Sequence, residues 1–365
     1  MLILPAAAYN PDDGVGVGAF VGLRRAKPRL VAGVGASENG ESLEAEPLGR
    51  RPWVWDFGAV GLGFFKPYPN GWSLSALASW FPEPSADTEW EYNLGIYGWL
   101  WDWWFGVGND QPRDLRRQDP ENDPVRDAWH RFGHYQVRAS ARIRQRVLGP
   151  FGLSIGLLLK WDVVDVRPGT LLEQDTRTGE AEGADGGPQV ALEGALILDD
   201  RDDPQDPTRG YLLNAVGEGR LSPMGPSGRM ILDMRGYLSP KQPVLVFAGQ
   251  MIAQMHVGGI AFYDQGVIGG AEIRPRALTG VGGVRGLDRG RIRGPLGLVL
   301  HGELRFRPPP LALGELRVRV QPTLFVDGTR ADTLELLGQG PPLHGSLGGG
   351  IRLVLQEQTV IRIDV

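Results

Sequence analysis

His134-Tyr-Gln-Val-Arg-Ala-Ser-Ala-Arg-Ile-Arg-Gln-Arg-Val147 decides the fold. Tyr135, Val137, Ala139, Ala141 and Ile143 fall on one side of a period-two repeat, and Gln136, Arg138, Ser140, Arg142, Arg144 and Arg146 on the other. Successive side chains of a β-strand point to opposite faces, so this is a strand with one apolar and one strongly basic face. The pattern recurs. Leu298, Leu300, Leu304 and Phe306 oppose His301, Glu303, Arg305 and Arg307, and Leu316, Val318, Val320, Leu324 and Val326 oppose Arg317, Arg319, Gln321, Thr323 and Asp327. Leu245 to His256 repeats it more weakly, with Gln250, Gln254 and His256 on the polar side. Further segments read as strands near 2–9, 15–24, 29–37, 52–65, 71–80, 90–105, 151–163, 189–199, 210–221, 228–239, 345–355 and 358–365. No segment reads as an amphipathic helix.

Two architectures share this alternation. A soluble sandwich buries its apolar faces between two sheets, whereas a transmembrane barrel turns them to lipid and keeps polar side chains in the lumen. Connection lengths separate the two. From residue 132 on, short connections (148–150, 239–243, 308–314, 356–357) alternate with long ones (164–188, 257–296, 328–344), with 200–209 moderate and 222–227 a short exception. That is the asymmetry of outer-membrane barrels, short turns on one side and long loops on the other. Before residue 132 no rhythm is legible. The run Trp99-Leu-Trp-Asp-Trp-Trp-Phe105 suits an interfacial girdle and equally a buried core.

Composition agrees with an ordered all-β chain. The 365 residues include 54 Gly, roughly twice the usual share near 7%, with 29 Pro, 11 Trp and 42% apolar residues. Glycines in strands, as in Gly14-Val-Gly-Val-Gly18 and Gly348-Gly-Gly350, permit the bends and close approaches of a curved sheet. The chain has no cysteine, which excludes disulfides, cysteine-bearing metal sites and a thiol nucleophile. A net charge of −5 gives no electrostatic reason to expect a nucleic-acid partner. The longest apolar stretch, Val147 to Leu159, is too short for a transmembrane helix and is broken by Gly149, Pro150 and Gly156. Met1-Leu-Ile-Leu-Pro lacks the basic region and apolar core of a signal peptide, so either a leader lies outside this sequence or the protein is not exported.

Enzymatic readings fail on context, and neither a catalytic residue, a cofactor nor a metal site is expected. Gly152-Leu-Ser-Ile-Gly156 matches a nucleophile elbow literally, but it lies inside an alternating strand, which leaves Ser154 facing a lumen. His130 and His134 flank Gly133 at the start of a strand, not a helix, and read as solvated loop histidines. Arg201, Pro204 and Pro207 break any calcium-loop spacing among Asp199, Asp200, Asp202, Asp203 and Asp206, leaving a polar turn. In the glycine cluster at 280–286, Arg285 occupies the third glycine position of a dinucleotide fingerprint.

Within the longest loop, Gly282-Gly-Val-Arg-Gly-Leu-Asp288 resembles the Val-Arg-Gly-aromatic motif of the BamA/TamA outer-membrane assembly and bacterial surface-antigen superfamily. Asp199-Asp-Arg-Asp-Asp-Pro-Gln-Asp-Pro-Thr-Arg-Gly-Tyr211 is similar to that family's Asp-x-Arg…Pro-x-x-Gly turn. Trp104-Phe-Gly-Val-Gly-Asn109 resembles its Phe-Gly-x-Gly-Asn element, and Glu303-Leu-Arg-Phe306 and Phe325-Val-Asp-Gly328 resemble the strand motifs after the long loop. These features occur in family order over essentially the whole chain.

The resemblance implies an all-β transmembrane antiparallel barrel of the bacterial outer membrane, occupying residues 1–365 without periplasmic docking modules. Its long loop, about 257–296, is expected to fold inward, and Arg285, with Gly286 and Leu287 beside it, to meet Asp327 and secondarily Glu303 as a structural lock. A guanidinium fork suits such bidentate bonding. Leu287 replaces the family's aromatic, and Gly328 comes one place early. Family members continue through a further strand ending in an aromatic residue, so sixteen strands are expected in the complete protein, the last missing here. The implied role is outer-membrane protein insertion or translocation, or a surface-exposed envelope protein. Its partners would be outer-membrane lipid and client outer-membrane or secreted proteins, with no nucleic acid. A passive channel is the alternative, its lumen made anion-favouring by Arg138, Arg142, Arg144, Arg146, Arg317 and Arg319. A soluble β-sandwich binding protein is the third reading.

Overall fold

The computed structural model describes residues 2–10, 14–26, 53–65, 71–80, 87–108, 129–204, 206–240, 244–273, 276–278, 283–287, 290–313, 316–332, 343–355 and 359–364. Strands β1 (Leu2–Asn10), β2 (Gly14–Ala26), β3 (Trp53–Phe65), β4 (Gly71–Trp80), β5 (Thr88–Trp103) and β6 (Arg131–Leu148) come first. They are followed by β7 (Phe151–Asp165), β8 (Gly187–Asp199), β9 (Gly210–Ser222), β10 (Gly225–Leu238) and β11 (Leu245–Gly258). A two-stranded hairpin, β12 (Val267–Ile268) with β13 (Arg276–Ala277), lies in the long loop. The sheet resumes with β14 (Leu296–Phe306), β15 (Leu311–Leu313), β16 (Leu316–Asp332), β17 (His344–Leu355) and β18 (Thr359–Asp364).

Excluding the hairpin, these strands form one antiparallel sheet of sixteen, in which each long strand pairs with the next along the chain. Short β15 and β14 share one side of β16, while β17 takes the other. β1 and β18 are the two edges, and among the described residues no pairing joins them. The segment read as a strand near 29–37 lies outside the described residues, as does Asn109.

The faces are inside-out relative to a soluble sandwich. On β7 the apolar side chains Leu153, Ile155, Leu157, Leu159, Trp161 and Val163 are all exposed, whereas Ser154, Lys160 and Asp162 are buried. On β16, Leu324 and Val326 point outward while Gln321, Thr323 and Asp327 are buried. Facing apolar side chains outward from a hydrogen-bonded sheet is what a bilayer demands.

Antiparallel alternation also shows why the loop rhythm fails early in the chain. The connection from β2 to β3 spans 27–52 yet leaves from the same end of the sheet as the short β6–β7 turn, while β1–β2 and β3–β4 are short at the other end.

One expectation is corrected and one open alternative is decided. The connection 166–186 contains a helix, α1 (Leu171–Thr178), although no helix was expected. Its signals are local: the Thr170 hydroxyl accepts from the Glu173 amide, and Gly179 closes the helix at φ 83°. Eight residues are too few for periodicity to reveal. Of the aromatic run, Trp103, Trp104 and Phe105 are core rather than girdle, exposed by 3%, 0% and 2%. Trp104 meets Phe262 edge-on at 4.9 Å and donates through Nε1 to Asp175 of α1 at 2.7 Å. The inward-folded loop supplies the cover that buries them.

Candidate functional site

The loop between β11 and β14 enters the lumen because its sequence carries its own apolar anchors. Ile268, Ile273, Leu278, Val284 and Ile292 pack on the inward-facing Ile197, Leu212, Val216, Ile231, Ile252 and Val299 of the wall. Here the wall departs from polar-inside, and each fully buried aliphatic side chain contributes about 1.5–3 kcal/mol. A second cluster, around Trp104, Phe132, Leu172, Phe262 and Tyr263, holds the start of the loop.

Three charged anchors fix the loop along its length. At the first, Asp264 accepts from Lys160 of β7 and from Arg220 of β9, the latter at 2.7 Å. Burial raises the Asp264 pKa, but the two cations outweigh it and leave the carboxyl below its ordinary range.

At the second, Glu272 takes Arg142 at 2.8 Å, Arg144, and the Ser154 hydroxyl at 2.6 Å. Burial opposes ionisation here too, yet Arg144 and Arg142 bring the Glu272 pKa down to about 2. Beside it, the amides of Ala271 and Glu272 donate to Glu193 at 2.7 and 2.8 Å. Gly270 allows this close approach, since a Cβ there would lie 1.4 Å from a Glu193 carboxylate oxygen and displace it.

The third anchor is the loop tip. Arg285 donates through Nε and Nη2 to the two Asp327 oxygens, both at 2.6 Å, and its backbone amide adds a bond at 3.2 Å. Nη1 reaches Asp364 at 3.1 Å and Glu303 at 3.4 Å, so one guanidinium meets carboxylates from β14, β16 and β18. The guanidinium also stacks 3.5 Å from the Phe325 ring centroid, and His301 Nδ1 lies 2.9 Å from Asp327. Burial works against the charge on Arg285, but Asp327 and its neighbours outweigh it and raise the pKa. Gly286, at φ 77°, supplies the left-handed residue that turns the tip, and Leu287 is half-buried against the apolar cluster. Gly282 and Asp288 lie outside the described residues.

The six arginines expected to line the lumen divide into groups. Arg138 is buried and donates to the Gly270 carbonyl. Arg142 and Arg144 carry counter-charges, Arg142 reaching Glu91 at 2.7 Å besides Glu272. Arg319 reaches Asp206 at 3.5 Å. Arg146 and Arg317 depart from the expectation: both are exposed beside the short-turn end of the sheet, because their strands run out there.

His134 was expected to be solvated. It is buried on β6, with Nε2 3.0 Å from Asp162 and Nδ1 3.7 Å from Asp102. The expected turn at 199–206 does form, with Asp202 accepting the Asp203, Thr208 and Arg209 amides. Its Asp206 does more than turn the chain. Only 3% exposed, it accepts from Arg307 at 2.8 Å, Gln321 at 2.7 Å and Arg352 at 3.4 Å.

Sequence reasoning missed Glu193, Asp264 and Glu272, and read Asp206 only as part of a polar turn. Glu193 could have been found as the charged position in the alternation of β8; the others sit in loops, where no period marks them. The Phe-Gly-x-Gly element has a structural counterpart: Gly106 and Gly108 take φ 91° and 101°, and the Gly108 amide donates to the Arg293 carbonyl of the loop at 2.6 Å.

No protein-family model matches the chain, and no curated protein sequence does. Solved structures do match. BamA from Haemophilus ducreyi lacking POTRA domains 1–3 is similar at TM-score 0.53 and 12% identity, covering 100% of this chain and 66% of that one. CdiB from Escherichia coli is similar at TM-score 0.52 and 12% identity, covering 97% of this chain and 55% of that one. The chain thus spans less than two thirds of either structure and has the fold of a BamA-like barrel.

Proposed function

We propose that this chain is an outer-membrane β-barrel that acts in inserting or translocating client proteins, with Arg285 and its three carboxylates as the lock that holds an internal loop in the lumen. One observation carries the reading: an outward apolar face surrounds a loop whose Arg285 is bound in the lumen, on a fold shared with BamA and CdiB. Lipid would cover the exposed side chains of β7 and β16. The role as a surface-exposed envelope protein uses the same barrel without clients.

Reconstitution tests this. The detergent-folded chain, placed in liposomes, is expected to accelerate the folding of a small outer-membrane barrel offered as a urea-unfolded client. Unchanged client folding, with the chain itself inserted and heat-modifiable on gels, would refute the client role. Steady single-channel conductance in planar bilayers would support the passive channel instead.

A further inference from the structure

We infer that the lumen holds a binding site for a free, phosphate-sized oxyanion, placed between Arg138 of β6, Arg229 of β10 and the inward loop. A cavity of about 200 Å³ lies there, far above the roughly 10–15 Å³ a single water needs. Both arginines line it, and both are more than nine-tenths buried, at 6% and 4% exposure.

The cations around the cavity are not equally compensated. Lys160 is paired with Asp162 at 3.1 Å and with Asp264, and Arg220 with Glu218 at 2.8 Å and Asp264 at 2.7 Å. Asp102 and Asp264 are the carboxylates of the lining itself. Arg138 has no such partner: its hydrogen bond goes to the Gly270 carbonyl, and among the described residues no carboxylate comes within salt-bridge distance of it. Arg229 binds Glu218 and sits 3.6 Å from Glu193, yet its Nε is buried without a hydrogen-bond partner. An uncompensated guanidinium beside an open volume is unfavourable unless acceptors fill it.

An oxyanion supplies that acceptor. Its oxygens match the planar guanidinium fork, and several donors can share one ion. The lining comes from the wall and from the loop, including Gly269 and Arg293, so a bound ion would bridge the two and hold the loop inward. The cavity lies inside the lumen behind strands whose lipid side is apolar, which favours a free ion over a lipid headgroup. This site is independent of any client role.

Calorimetric titration of the detergent-folded full chain with inorganic phosphate, at low chloride, tests the proposal. One saturable site is expected, with sulfate competing and an alkyl phosphate in micelles not competing. Arg138→Gln and Arg229→Gln should each weaken binding at least tenfold, while Arg317→Gln at the exposed rim leaves it unchanged. Leu158→Phe narrows the cavity without altering a charge, and should weaken binding several-fold in a protein that still shows heat-modifiable mobility. It decides the matter if the arginine variants do not fold. No saturable heat in the parent chain, or undiminished affinity in Leu158→Phe, overturns the site. So does binding of the alkyl phosphate in preference to the free ion.

Discussion

Replacing Arg285 by Gln should free the loop tip. The substitution removes the cation but keeps a polar side chain, leaving the Asp327 carboxylate, with 0% side-chain exposure, to His301 and the backbone amide of residue 285. Breaking a buried pair by deleting one partner costs about 3–5 kcal/mol. Arg285 retains 15% exposure and His301 still contacts Asp327, which places this case at the lower end, about 3 kcal/mol. That corresponds to roughly a hundredfold shift toward loop-out states. Trypsin cleavage at Arg291 reads this population directly, because proteolysis follows the open fraction when opening is fast. Cleavage in the detergent-folded variant should rise by about that factor, with the urea midpoint for loss of heat-modifiable mobility falling in parallel. Arg285→Lys, which keeps the charge but loses the fork, should fall between the two. Arg285→Glu would set four carboxylates together and should block assembly. A charge-reversed protein that assembled normally, with parental cleavage rate and midpoint, would refute the reasoning.

A cysteine-free chain makes a disulfide test clean: a Cβ at Gly286 would lie 3.6 Å from that of Ser346, within the range for a disulfide. Gly286→Cys with Ser346→Cys should crosslink under mild oxidation, shifting gel mobility, despite the left-handed φ at 286; absence of the bridge would show that the tip does not dwell on β17. Gly270→Ala drives a Cβ into the Glu193 carboxylate and should destabilise the protein by about 1–3 kcal/mol, read as a lower urea midpoint, whereas a neutral outcome would mean the loop is not seated there. Acidification tests the second anchor. Glu272 has a folded pKa lowered to about 2, so its stabilisation is fully present above the unfolded value near 4.3 and is lost as pH falls through that window. Urea midpoints measured from pH 6 to pH 2 should therefore drop below about pH 4, less steeply in Glu272→Gln. Asp206→Asn should cost about 1–3 kcal/mol by loosening Arg307, Arg319 and Arg352, measured as the same midpoint.

The sheet was legible because its signal is local. Alternation between residues two apart, as from Tyr135 to Arg146 or from Leu316 to Asp327, records which face meets lipid, and it needs no knowledge of partners. Short signals were overlooked: α1 is announced only by Thr170, Glu173 and Gly179. Reading Trp103 to Phe105 as core or girdle turned on whether anything covers them, and the covering Phe262 lies far along the chain.

By itself, then, the amino-acid sequence determined the long strands, their two faces and the length and place of the long loop and, through its resemblance, the inward path of that loop and the interest of Arg285 and Asp327. Only the tertiary structure decided the lumen's wiring. Arg144 meets Glu272 across 128 positions, and Arg352 meets Asp206 across 146. Such pairs depend on strand register around the sheet and on the path of a loop threaded through it. A carboxylate in a loop has no period to betray its partner, and a buried arginine reads the same in sequence whether its counter-charge is present or absent.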